Sequence, residues 1–479
     1  MSKEEHIGPF ESKCKPQYRS GGFPVNSRPN EREAARTRRQ QYAYRFPRDR
    51  RQLDGKYSVE ENARRLLRFF YLERRLAQGL GSWTLTIPDF EVMVETGRHI
   101  FWHADAAHQL RQRLHEQEMG LRQIDDYRDG QIDLFVEEVL SAVDAPELLV
   151  GIHQVAGQAC ATAYRHHVDD TDSVTDAPTI RVLNRILLDY EPMLDWATFA
   201  IDAYVEGGID ESRLSRWRWH LQRLLGSIGG VTGSDQPNDQ PTPLRCKEKP
   251  YERGTVPMRD DRFVTFSNTG DYDVVDGEPR FGTETYEGTR LRFIRTQRDE
   301  VDAIEAFGTF LWDIRFKDFM AEYYLARITW DEARHTEIGH RVMLAMGYDP
   351  FELPNRLTSS TCRGEMTDEK AAFAMAEINL FGEVGVLRTI NDLIDLARDS
   401  DDAIIANMAD YIRADERTHV RNGQHILKVM TRLGAQELEQ RTREIFTECL
   451  VSLGAVKKDS DVLKVGPLSR EAIEKLVGE

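Results

Sequence analysis

Apolar residues recur at three- and four-residue intervals over long stretches of this chain, the period of helices with one buried face. From Ser58 the pattern runs through Leu66, Leu67, Phe69, Phe70 and Leu72 to Glu73. After a break at Pro88 it resumes from Phe90 through Ile100, Phe101 and Leu110. Further helical stretches fall near 146–167 and 179–206, and a closing helix reaches about Leu225. A second series is expected over roughly 289–312, 317–346, 368–398, 402–432 and 435–453, with a turn from Asp313 to Lys317. A loop holding Pro350, Pro354 and Gly364 crosses from the second helix of that series to the third. The fold class is therefore all-α: two tandem helical bundles over 56–228 and 289–455. Between them lies a long irregular connector, 229–288, rich in Gly, Pro, Asp and Gln and then aromatic and Thr-rich, with short strands or ordered coil expected from 251. Residues 1–55 form an Arg-rich arm without sustained period, and 456–479 a polar tail.

Chemistry concentrates in the second series. Glu300 precedes Asp331-Glu332-Ala-Arg-His335 by about one helical hairpin, and Glu383 precedes Asp415-Glu416-Arg-Thr-His419 by nearly the same distance. Intervals of 32 residues from Glu300 to Glu332 and 33 from Glu383 to Glu416 suit an antiparallel pair that returns its second carboxylate to the depth of the first. Within each returning helix Glu and His stand three apart, on one face. Four carboxylates facing one another in a core could not all stay ionised alone, whereas divalent cations would neutralise them. Carboxylate oxygens with imidazole suit iron or manganese better than thiolate-seeking metals. Asp331 and Asp415, each four residues before a His, are expected to support the ring that follows them. Glu305 competes with Glu300 and Glu377 with Glu383 for the outer positions; the midway turn favours Glu300. Gly382 and Gly385 flank Glu383, leaving room for a substrate or for close helix packing.

A fainter copy of the spacing lies upstream. Glu73 and Asp105 are 32 residues apart, Asp105-Ala-Ala-His108 is an acidic-x-x-His element, and PDFEVMVETGRHIFWHADAAH can be laid over KDFMAEYYLARITWDEARH with a short gap. Glu191 falls in the place of Glu416, but Leu194 replaces the His and Gln158 the outer Glu. The reading is an internal duplication whose first member keeps a vestigial site at Glu73, Asp105, His108 and Glu191. His99 and His103, four apart on a helix face, are the residues that could repair it, the commoner role for such a pair being packed or hydrogen-bonded core histidines.

The pattern resembles the ferritin-like non-haem di-iron carboxylate superfamily, in which one Glu from each of two helices joins a Glu-x-x-His from each of the other two. Glu300-Val-Asp-Ala-Ile looks like the first ligand helix of bacterioferritin and rubrerythrin, and DEARH and DERTH look like the elements of bacterial multicomponent monooxygenases. The resemblance implies two tandem ferritin-like four-helix bundles, the first degenerate. It implies two iron ions, or iron with manganese, held by Glu300, Glu332, His335, Glu383, Glu416 and His419. It also implies an oxygenase or oxidase using O2 on a small organic substrate by hydroxylation, N-oxygenation or desaturation. The other class left open is a non-catalytic or ferroxidase-like iron protein. Ferritin-type cages use one short bundle per subunit, which sets this longer chain apart.

Composition narrows the partners. The formal charge of -17 argues against nucleic acid, and the arginines of 28–51 read as a solvated or intramolecular cluster. Five scattered cysteines without Cys-x-x-Cys pairs offer no iron–sulfur or zinc framework, and no flavin-binding glycine motif is present, so electrons are expected from a separate reductase, from peroxide or from the substrate. No apolar run approaches the ~20 residues of a membrane span, and residues 1–20 lack a signal-like apolar stretch. A cytoplasmic protein is expected, with a homo-oligomer left open.

Overall fold

The computed structural model describes residues 33–34, 36–37, 55–241, 243–263, 265–266, 274–275, 278–279, 285–353, 355–356 and 371–452. The arm's arginine cluster falls largely outside them, as do Pro354, Gly364 and the 456–479 tail. By its contacts the chain divides into Met1–Leu53 and Asp54–Glu479, and the helices of both bundles lie within the second unit.

The fold is all-α, as the periodicity requires. In the N-terminal half, α1 (Val59–Trp83) and α2 (Phe90–Glu116) form a hairpin. Two short helices, α3 (Leu121–Asp125) and α4 (Gly130–Leu140), occupy the crossing that follows, and the period does not announce them. The third long rod is composite: α5 (Ala145–Leu149), a π-helical segment (Val150–Gly157) and α6 (Gln158–Asp170). Next come α7 (Ala177–Glu206) and α8 (Glu211–Ser227), and α9 (Arg245–Glu248) lies in the connector.

The C-terminal half repeats this order. Its first rod is α10 (Tyr286–Asp299) followed by α11 (Val301–Asp313), its second α12 (Phe319–Ala345). The third is α13 (Ala371–Glu377), a π-helical segment (Ile378–Gly382) and α14 (Glu383–Asp399); α15 (Ala403–Met430) and α16 (Ala435–Ser452) close the series. Gln158 and Glu383 each follow directly on a π segment. Short polar residues fix the starts. Ser58, Thr285, Asp318 and Asp402 accept hydrogen bonds from first-turn amides that have no helical partner.

Helices α10 and α11 pack on α12, α12 on α15, α15 on α14 and α14 back on α10, closing a ring around the carboxylate cluster. The halves join through their first hairpins, α1 against α11 and α2 against α12. Glycine makes the approach close: a Cβ on Gly97 would stand 2.7 Å from that of Ala333, and one on Gly81 would stand 2.7 Å from the Gly308 carbonyl oxygen. One apolar core runs through both halves, from Leu66 and Phe70 to Phe319, Leu325 and Ile328. Across it, buried Glu322 accepts from Arg74 Nε at 2.8 Å and Nη2 at 2.6 Å, from Gln78 at 2.8 Å and from the Phe316 amide at 2.6 Å. The ion pair is tolerable inside because every carboxylate oxygen is satisfied.

The connector is packed where it is described. Tyr251 stacks on Trp83 and bonds Ser82, Arg253 pairs with Asp313 at 2.9 Å, and the Met258 amide donates to Leu85 O at 2.8 Å. It thus straps the joint between the two halves. Its strands are minimal: β1 (Thr265–Phe266) pairs in parallel with β4 (Asn355–Arg356), and β2 (Val274–Val275) antiparallel with β3 (Glu278–Pro279). Among the described residues no helix is long and apolar enough to cross a membrane.

Candidate metal centre

Six side chains from four rods meet inside the C-terminal ring, and they are those the repeated spacing singles out. Glu332, Glu383, Glu416 and His419 form one group whose potential ligand atoms all lie within 4.8 Å of one another; Glu300, His335 and Glu416 form a second. His335 Nδ1 lies 3.0 Å from Glu300 Oε2, 3.6 Å from Glu416 Oε1 and 3.7 Å from Glu332 Oε2. His419 Nδ1 lies 3.1 Å from Glu416 Oε2, 3.2 Å from Glu332 Oε1 and 3.7 Å from Glu383 Oε1. Glu332 and Glu416 therefore each turn one oxygen toward either histidine. Glu300 stands at the His335 end alone and Glu383 at the His419 end alone.

The outer carboxylates arrive by local irregularity. The first rod breaks at Glu300, where an unbroken helix was expected: its φ of -68° and ψ of 2° make it both the last cap of α10 and the first of α11. Glu305, the rival, is buried elsewhere in an ion pair with Arg259. Glu383 opens α14 directly after the π segment, whose wider turn resets the helix phase at that point. Glu377 lies one turn and a half earlier and belongs to neither group. Gly382 and Gly385 are exposed, and a Cβ at either meets nothing within 4 Å, so they neither line the cluster nor serve close packing.

The aspartates act across helices. His335 Nε2 faces Asp415 Oδ2 at 3.3 Å and His419 Nε2 faces Asp331 Oδ2 at 3.4 Å, so each Asp supports the ring of the opposite helix, contrary to the expectation from spacing. The reason is geometric. A His pointing inward from α12 directs its far nitrogen toward α15, beyond the reach of an Asp one turn back on its own helix. Arg334 donates to Asp331 and, at 2.8 Å, to Asp415, while Arg327 Nε bonds Asp331 at 2.9 Å. The guanidiniums thus hold the two carboxylates as a pair.

The protons follow from this packing. Burial, and then the charge of Glu332, push Glu300 up to about 8; burial and Glu383 push Glu416 well above the carboxylate range. Burial would also raise Glu332, but hydrogen bonds from His335 and His419 outweigh it and hold the group at about 2. Burial opposes charge on both imidazoles and is overcome, by Asp415, Glu300 and Glu332 at His335 and by Glu416, Asp331, Glu332 and Glu383 at His419. Both are raised well above their ordinary value. Without metal the cluster is a store of protons shared among oxygens and nitrogens. With five of the six residues buried and Glu300 partly buried, the donor set of carboxylate oxygen and imidazole nitrogen can hold a metal ion.

The upstream spacing does not assemble the site expected of it. Glu73 is fully buried, but its partners are His103 Nδ1 at 2.6 Å, Tyr190 at 2.6 Å and Tyr164. Asp105 turns to Gln109 and Tyr323, His108 stacks on Tyr323 at 4.6 Å, and Glu191 is exposed. Two residues beyond His103 is about 200° around a helix, so Asp105 points to the opposite face, and Glu191 is about 100° off the direction of Tyr190. No protein-family model, curated protein or solved structure matches this chain.

Proposed function

We propose that the C-terminal half is a ferritin-like dimetal centre and that the protein is an O2-activating non-haem di-iron oxygenase or oxidase acting on a small organic substrate. One observation carries the reading: Glu332 and Glu416 each turn one oxygen toward His335 and the other toward His419, so these carboxylates and imidazoles would hold metal at both ends of one cluster. His335 and Glu300 would complete one coordination set, His419 and Glu383 the other. Bound iron would supply the activation of dioxygen.

The chain's own part is positioning and exclusion. Asp415 and Asp331 accept the Nε2 protons, which fixes each ring and leaves Nδ1 as the donor nitrogen facing the carboxylates. Arg334 keeps the two aspartates in register, so both rings are oriented by one bracket. Burial of the cluster keeps bulk water from a reactive oxidant. Reducing equivalents would come from a separate reductase, from peroxide or from the substrate itself.

Oxygen uptake by the iron-loaded protein, measured across a panel of small amines, phenols and alkyl acids with a chemical reductant, tests the reading. Uptake that rises with one class of substrate, together with oxygenated or dehydrogenated product, supports it. Uptake driven by Fe(II) alone and indifferent to every organic compound would assign the centre to iron oxidation or storage.

A further inference from the structure

We propose that the N-terminal half carries a separate metal site, in which His99, His103 and His153 bind one divalent transition ion of the zinc class. His99 and His103 lie four apart on α2 and share a face. His153 comes from the π-helical segment, its ring 4.9 Å from that of His99 and inclined at 73°. Each residue is 1 % exposed. Such π segments gather at functional sites in other helices, and here the segment is what brings His153 to α2.

Four of their six ring nitrogens are buried with no hydrogen-bond partner among the described residues: His99 Nε2, His103 Nε2, and both Nδ1 and Nε2 of His153. One unpartnered nitrogen is ordinary for a buried neutral imidazole, and His108, His167 and His340 each show it. Two on one ring, beside two neighbours with one each, leave an uncompensated cost that a bound cation would remove. The nearest acid to His99 is Glu95, whose carboxylate lies 3.8 Å from Nε2.

The support behind the site is already built. His103 Nδ1 is bonded to Glu73 Oε2 at 2.6 Å, while Glu73 Oε1 accepts from Tyr190 and Tyr164, so the carboxylate is held on three sides and the free donor of His103 is Nε2. A carboxylate behind a ligating imidazole fixes its tautomer and raises its basicity. Burial opposes charge on His99 and His153 alike, and lowers both from their ordinary value. Cys160 sits beside the same tyrosines, but burial pushes its thiol up and keeps it from acting as a thiolate ligand. Three imidazoles select a borderline ion such as zinc, cobalt or copper over magnesium or calcium. The three nitrogens are not gathered within 4.8 Å as the C-terminal ligand atoms are. The rings in contact are those of His99 and His153, so binding requires that pair and His103 Nε2 to close on one another.

Equilibrium dialysis of full-length protein against Co(II), with its visible absorption recorded, tests the site. His99→Gln with His153→Gln should bind one ion fewer per chain than wild type. Glu416→Ala with His335→Ala should retain one ion with the spectrum of a nitrogen-ligated centre. Glu73→Gln, which keeps the tyrosine contacts, should weaken that ion about 10- to 100-fold. Unchanged stoichiometry in the His99/His153 variant overturns the proposal, as does absence of any ion in a folded Glu416/His335 variant. If the paired histidine variant fails to fold, an undiminished affinity in Glu73→Gln overturns it instead.

Discussion

Filling the C-terminal centre with metal at pH 7 should expel about four protons from each chain. His335 and His419 are held protonated by their carboxylate neighbours, and Glu300 and Glu416 carry protons because burial and other carboxylates resist their charge. Glu332, held at about 2, has none to give. Two imidazoliums and two carboxylic acids must therefore each release one proton before they can ligate. Each displaced proton changes the logarithm of the binding constant by one per pH unit. The overall constant for the filled centre should thus rise about ten-thousandfold between roughly pH 6.5 and 7.5, or about 5 kcal/mol. Above about pH 8 Glu300 is already ionised, and the release should fall. Calorimetric titration of metal-free protein with Mn(II), in buffers of different ionisation enthalpy, gives the number from the slope of the observed heat. Release of fewer than about two protons at pH 7, or an affinity flat across that range, would refute this account of the charges.

Four substitutions probe other parts of the reasoning. Asp415→Asn or Asp331→Asn should lower Mn(II) affinity about 10- to 100-fold, each through the histidine of the opposite helix, so paramagnetic NMR of the metal-loaded protein should show the opposite ring perturbed; an effect confined to the ring on the same helix would contradict the crossed pairing. Glu322→Ala leaves Arg74 buried and unpaired and should cost about 3–5 kcal/mol in chemical denaturation, and a loss below about 1 would mean that the pair does not hold the halves together. Gly97→Val drives a side chain into Ala333, next to Glu332, and should cost about 1–3 kcal/mol with a lower metal occupancy; unchanged stability would show that α2 and α12 are free to part.

The C-terminal cluster was legible because its information is local and occurs twice. Glu-x-x-His on one helix face, repeated at nearly equal distances from a preceding Glu, leaves few foldings that do not bring six donors together. What escaped the sequence depends on relations between helices or on helix phase. The aspartates cross because the rings point away from their own backbones, and no spacing along one helix encodes that. The break at Glu300 and the π turn before Glu383 leave apolar periodicity on both sides, so both helices read as continuous. In the N-terminal half the 32-residue interval paired Glu73 with Asp105, whereas the hairpin returns His103 to that depth, two residues earlier and on the opposite face. Tyr164 and Tyr190, the other partners of Glu73, gave no signal beyond apolar periodicity, because a buried tyrosine occupies a core position like any aromatic residue.

The most direct test of the central claim is iron bound per chain after anaerobic Fe(II) loading, compared between wild type and Glu416→Ala with His335→Ala. Removing one shared carboxylate and one imidazole should abolish both coordination sets together, so the account predicts a difference of about two irons per chain with the helical content unchanged. Equal iron in the two proteins would contradict it.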